Sequence, residues 1–196
     1  HRMGGVVPGV EDYLEAPFLL IWRKRVVWLA CLFVAELFTF TALASFENAI
    51  AQVLALSLFV PLCISTGGNS GSQAATLLTR ALALGQVDLR DWWRVLRHEL
   101  LMGLALGASL GAIGFVRAAA TPAGVLGQVS RWEMALVISQ AVAAICLWGT
   151  LVGSMLPLVF KRFGIDPGVA SSPFVATFVD VTGIIIYFSI AQAWLL

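Results

Sequence analysis

An acid in the middle of an apolar run is the first residue here that could do chemistry. Asp180 lies in the stretch Phe174 to Leu196, with no Lys or Arg within a helical turn of it. An ionisable side chain at membrane depth costs several kcal/mol and marks a functional site by default. On a helix its face carries Pro173, Ala176, Thr177, Gly183 and Tyr187, three, four and seven positions away. Small residues there leave room and expose carbonyls, and Thr177 adds an oxygen. A carboxylate in such a cleft suits a hard cation. The plainer alternative is a protonated Asp hydrogen-bonded to a neighbouring helix.

The second feature is the string STGGNSGSQAATLLT that starts at Ser65. Ser65, Asn69, Ser72, Gln73 and Thr76 recur at steps of three and four. On a helix they form one polar stripe, the lining of a water-filled passage. Pro61 and the pair Gly67-Gly68 are expected to kink or locally unwind that helix and free its carbonyls. No GxxxxGK[ST] pattern is present, so the string is not a phosphate loop. Polar glue between helices is the alternative. Glu36, one turn from Thr39, could line the same passage or be neutral and bonded to a partner helix. Glu47 follows Phe46 at a short outer turn, where it could gather cations at an outer mouth.

These residues need elements to hold them, and composition says in what solvent. The 196 residues are 60% hydrophobic and 12% charged, with a mean hydropathy of +0.92. Soluble domains run to about 45–50% apolar and about 25% charged, and one core of this size could not hide the excess. A net charge of +1 gives no nucleic-acid signal. The chain reads as an all-α membrane protein with five transmembrane helices: Val26 to Ser45, Asn48 to Ile64 with a polar continuation to Gly85, Leu100 to Val116, Met134 to Phe160, and Phe174 to Leu196. Some with their flanking turns, these can cover roughly 30 Å of hydrocarbon at about 1.5 Å per residue.

Positive charge sets the orientation. Arg23, Lys24 and Arg25 precede the first span, Arg80, Arg90, Arg94 and Arg97 sit between the second and third, and Lys161 and Arg162 between the fourth and fifth. Only Arg117 and Arg131 face the other side. Cytoplasmic loops hold the Lys/Arg excess, which places the N-terminus inside and the C-terminus outside. Ser130 to Glu133 reads as a capping box, and Ser172-Pro173 as a cap followed by an N1 proline. Asp88 to Glu99 puts Leu89, Trp92, Trp93 and Leu96 on one face, the pattern of a short interfacial helix. Gly103, Gly107 and Gly111, and Gly149 with Gly153, are small-residue seams for close helix packing, and Pro157 should bend its helix.

The remaining features are quieter. Cys31, Cys63 and Cys146 lie in apolar runs without a CxxC pair or a nearby His, and read as small apolar filler. The chain opens His-Arg-Met without a signal peptide, so that His1 should carry no functional weight. Residues 1–25, with Glu11, Asp12 and Glu15 ahead of the basic run, read as a cytoplasmic connector, and 26–196 as a five-helix transmembrane pore domain.

Three of these segments together resemble one family. PLCISTGGNSGSQAATLLTRAL (Pro61–Leu82), FGIDPGVASSPFVATFVDVTGIIIYF (Phe163–Phe188) and the Phe46-Glu47 turn are similar to the membrane domain of the MgtE magnesium channels, in order and spacing from the basic run onward. The resemblance implies a homodimer in a bacterial cytoplasmic membrane, with the ion path near the two-fold axis between the second and fifth spans of both copies. It implies Asp180 as the acid of a central Mg²⁺ site, Ala176 and Thr177 as the turn offering backbone oxygen to it, Asn69 as the polar residue of the GGN string, and Glu47 as the acid of the outer turn. It also implies CBS-type regulatory domains before the pore domain, with Met3 to Arg25 as the connecting helix. Ser172 stands where the family often has Asn, and Glu36 is an acid outside the family pattern.

The physics suits that ion, both bound and transported. Mg²⁺ prefers six oxygens and sheds water reluctantly, so a pore should hold it largely hydrated. Two Asp180 carboxylates facing across an axis would bring about −2 of charge, and protons should compete with the cation, so acid pH should weaken conduction. A divalent ion crossing −100 mV gains about 4.6 kcal/mol, at about 2.3 per charge. Passive, voltage-driven conduction is therefore the expected function. A proton-coupled secondary divalent-cation transporter using Asp180 and Glu36 is the first rival. A membrane-embedded enzyme lacks any Ser/His, Cys/His or paired metal-ligand set, His98 being the one internal histidine. A membrane anchor without transport should tolerate a broken polar stripe.

Overall fold

In the computed structural model, residues 14–196 are described, and all regular structure among them is helical. The His1 reading and most of the connector, including Glu11 and Asp12, lie outside the described residues. α1 runs from Phe18 to Ser45, starting at Pro17, whose carbonyl accepts from Leu20 and Ile21. It begins ahead of Val26, so Arg23, Lys24 and Arg25 ride on its first turns instead of preceding it.

The expected second span divides. A short α2 (Glu47–Gln52) ends at Val53, which leaves helical geometry with φ −132°. α3 (Ala55–Ala83) then runs 29 residues, about 43 Å at the rise of an α-helix. It is continuous through Pro61 and through Gly67-Gly68, against the expected unwinding. Pro61 falls in the second turn, where it removes one backbone bond and little else. Gly67 is held by packing: a Cβ there would lie 2.6 Å from Ile145 Cγ2 and 2.7 Å from Val179 Cγ1. Close approach of two neighbouring helices outweighs the weak helix propensity of glycine, about 1 kcal/mol.

The expected interfacial helix is also not a separate element. Asp88 caps a single 3-10 turn, Leu89–Asp91, by accepting from Leu89 N at 2.7 Å while Asp91 accepts from Asp88 N at 3.0 Å. α4 (Trp92–Ala119) follows directly, so the tryptophan face forms its first turns. Nothing in the sequence Arg97 to Leu101 breaks a helix, and propagation there is favourable.

A four-residue helix, α5 (Ala123–Leu126), closes at Gly127 with φ +62°, a conformation that favours glycine. α6 (Arg131–Arg162) is the longest element, and Ser130 caps it by accepting from Trp132 N at 3.3 Å. No bond from the Glu133 side chain back to Ser130 is made among the described residues, so half of the capping box is realised. α7 (Ser172–Leu195) has Ser171, not Ser172, at its N-cap.

α1, α4 (with its 3-10 turn), α6 and α7 are each long and apolar enough to cross a membrane. α3 has the length but not the apolarity, because its polar stripe lowers it. The core sits around α6, whose Met134, Ile138 and Ile145 are fully buried. The Gly103, Gly107 and Gly111 seam lets α4 close on α6; a Cβ at Gly107 would stand 2.8 Å from the Ala143 carbonyl oxygen. Gly149 and Gly153 serve a different contact, that of α6 with α3: a Cβ at Gly149 would stand 2.6 Å from Gly67 O, and one at Gly153 would collide with Gly71 O. Cys63 and Cys146 are buried and Cys31 exposed, all three free.

Candidate ion site

α7 carries Asp180 and is fixed from three sides. Tyr187, fully buried, donates its hydroxyl to Leu56 O of α3 at 2.6 Å. Trp148 of α6 donates its indole N–H to Thr182 Oγ1 at 2.8 Å. On α1, Trp28 stacks on Phe174 with ring centroids 6.2 Å apart. These bonds set the rotation of α7, and with it the direction of the Asp180 side chain.

Asp180 is half-buried and looks across to the middle of α3. A Cβ at Gly68 would lie 3.6 Å from Asp180 Oδ1 and 3.7 Å from the Ala176 Cβ. Gly68 therefore opens the space in front of the carboxylate, next in the chain to Asn69 of the stripe. On its other side Asp180 meets Glu36 of α1, whose carboxyl is within hydrogen-bonding reach. Thr39 donates to Glu36 Oε1 at 3.0 Å.

The stripe on α3 is real as a surface. Ser65, Asn69, Gln73 and Thr76 are exposed and Ser72 is partly so. Asn69 donates to Ser65 Oγ at 3.3 Å, and Ser72 donates to Ser172 O at 3.4 Å. Exposed polar side chains along a helix set among apolar ones demand water or a second polar surface. Thr177 gives its proton to Pro173 O at 2.9 Å, which leaves its oxygen lone pairs free to face a ligand.

Two expected residues stand apart from this group. Gly183 is buried and turned to α6, where a Cβ would lie 3.6 Å from Ile145 Cγ2. Glu47 begins α2 and is exposed, at the far end of α3 from the Ser72–Ser172 contact. Among the described residues no group of three or more His, Cys, Asp or Glu gathers. One chain offers two carboxyl groups and a set of neutral oxygens. The Trp148–Thr182 bond was missed by sequence reasoning; a lone tryptophan inside a span was the only available signal.

Four helices long and apolar enough to cross a membrane, with a fifth long helix that carries an exposed polar stripe, define a class: a multi-pass membrane protein. The family model for MgtE, a divalent cation transporter, matches residues 60–190. The chain is 39% identical over 98% of its length to the magnesium transporter MgtE of Thermus thermophilus and 30% identical over 95% to that of Enterococcus faecalis. The Bacillus subtilis magnesium transporter MgtE is 25% identical over 88% of the chain. The chain belongs to the MgtE family of divalent cation transporters. It spans about two fifths of the length of these curated relatives (41%, 39% and 37%).

Proposed function

We propose that this chain is the membrane pore domain of a Mg²⁺ transporter that conducts the ion passively, driven by the membrane potential. One observation carries the reading: Asp180, on the apolar helix α7, stands opposite the glycine-opened middle of α3, the helix that bears the polar stripe. In this reading α3 is a fifth span, shielded from lipid on its striped side by a second copy of the chain. The Lys/Arg bias puts the N-terminus inside. A homodimer brings two Asp180 carboxylates and two stripes to one axis, and Mg²⁺ passes as substrate, largely hydrated, with Asp180, Ala176 and Thr177 as its nearest contacts. Asn69, Ser65, Ser72, Gln73 and Thr76 line the path, and Glu47 gathers cations at the outer mouth. Residues 1–25 connect the pore domain to CBS-type regulatory domains, and the membrane is the bacterial cytoplasmic one.

The proximity of Glu36 to Asp180 favours a second reading, proton-coupled divalent-cation exchange, because two carboxyls in contact can share a proton. Mg²⁺ flux into proteoliposomes containing the purified chain separates the two. Flux that follows an imposed potential without a pH gradient, and collapses in Asp180→Ala at matched reconstitution, supports conduction. Flux that requires a proton gradient supports exchange. Equal flux in parent and variant removes Asp180 from the path.

A further inference from the structure

Where the turn before α4 meets the end of α6, the chain forms a groove of about 380 Å³ walled in part by Leu89, Arg90, Trp92, Met155, Val159 and Arg162. Both helices are among the four apolar enough to cross a membrane, one beginning at Leu89 and the other ending at Arg162. The groove therefore lies where two apolar helices reach the same membrane surface. Lys161 of α6 ties the two elements together, its Nζ 4.0 Å from Asp88 Oδ1.

Two guanidinium groups from different elements share this groove. Arg90 and Arg162 are exposed, and neither forms a salt bridge among the described residues. Asp88 and Asp91, the acids of the adjoining turn, are engaged instead by Lys161 at 4.0 Å and by Arg94 at 3.4 Å. The rim is cationic.

Below the rim the walls are apolar. Met155, Val159 and Arg162 follow at steps of four and three, which places them on one face of α6. That face runs about 10 Å from the guanidinium toward the membrane interior, at about 1.5 Å per residue. Val159 is 41% exposed, and buried Leu158 backs the groove. Trp92, 51% exposed, stands at the same boundary, the level at which tryptophans collect in membrane proteins.

We propose that this groove holds an anionic phospholipid, its phosphate between Arg90 and Arg162 and one acyl chain along Met155 and Val159. Basic pockets between membrane helices take acidic headgroups, and a guanidinium binds phosphate oxygens through charge-assisted hydrogen bonds. A soluble anion would leave the Met155–Val159 face uncovered. A zwitterionic lipid would bring its own cation up to two arginines. An anionic lipid satisfies both ends of the groove at once.

Native mass spectrometry tests this on the chain released from nanodiscs of equal phosphatidylglycerol and phosphatidylcholine. The parent is expected to retain phosphatidylglycerol in preference. Arg90→Gln and Arg162→Gln should each lower that preference about fivefold, the effect of one basic residue at a membrane surface. Arg117→Gln removes an arginine from the opposite end of α4 and should leave it unchanged. Val159→Trp keeps both charges but fills the groove, and should also release the lipid. No preference in the parent overturns the proposal. So does an equal loss in Arg117→Gln, which would reduce the effect to overall charge, or full retention in Val159→Trp, which would leave the groove without an occupant. Should a glutamine variant fail to fold, Val159→Trp and Arg117→Gln still decide, since Val159 is exposed and its replacement disturbs no core contact. The groove shares no residue with Asp180 or the α3 stripe, so it and the ion path can fail separately.

Discussion

Glu36 of α1 and Asp180 of α7 bring their carboxyl groups within hydrogen-bonding reach, and Thr39 donates to Glu36 on the same helix. α1 packs chiefly on α7, so this meeting is the main polar event along α1. Neighbouring carboxyls can hold a cation between them or share a proton, and either would make Glu36 part of the proposed site.

Removing the charge from each acid should therefore reduce Mg²⁺ flux. Asp180→Asn is expected to lower it about tenfold or more, and Glu36→Gln by a smaller factor. The double variant should lose less than the product of the two, because residues in contact couple. Proteoliposome flux at matched protein density measures all three. A Glu36→Gln flux equal to the parent would reduce Glu36 to a helix-packing residue.

If a carboxylate at Asp180 is the ion ligand, as proposed, protons should compete with Mg²⁺ for it. Flux measured from pH 8 down to pH 5 at constant potential should fall. A flat profile would speak against carboxylates as ion ligands.

Helix spacing offers a cleaner stability test. A Cβ at Gly149 would meet the Gly67 carbonyl oxygen at 2.6 Å, and backbone cannot step aside as a side chain does. Gly149→Ala should cost about 1–3 kcal/mol by overpacking. At Gly124 there is open space, with nothing within 4 Å, so that Gly124→Ala should stay within about 0.5 kcal/mol of the parent. Unfolding in detergent, followed by circular dichroism, compares the two. Similar midpoints would contradict the close α3–α6 contact.

Tyr187→Phe deletes the bond to Leu56 O while keeping the ring and its packing on Phe188. The expected loss is about 1 kcal/mol, the net worth of one buried hydrogen bond. The same unfolding measurement reads it, and an unchanged midpoint would mean that the Leu56 carbonyl is satisfied without the phenol.

Much of this was legible in the sequence because membrane helices announce themselves locally. Long apolar runs gave α1, α4, α6 and α7, and the recurrence of Ser65, Asn69, Ser72, Gln73 and Thr76 gave the exposed stripe. Asp180 was legible as a charge out of place. The break at Val53 was not, since only Gln52 interrupts the apolar residues around it and no proline or glycine marks it. The surface helix at Asp88–Glu99 misled because amphipathic pattern says which face is apolar, not where a helix stops. That Glu36 meets Asp180 could not be read at all: it depends on how α1 lies against α7, which no spacing within either helix encodes.

α1 has one further property worth following. From Phe18 to Glu36 it is uninterrupted helix, about 27 Å at 1.5 Å per residue. It bears on α7 and has a single buried residue, Leu32. The Trp28–Phe174 stack is the point where that length of helix rests on α7, so a change in the tilt of α1 about it would shift Glu36 relative to Asp180.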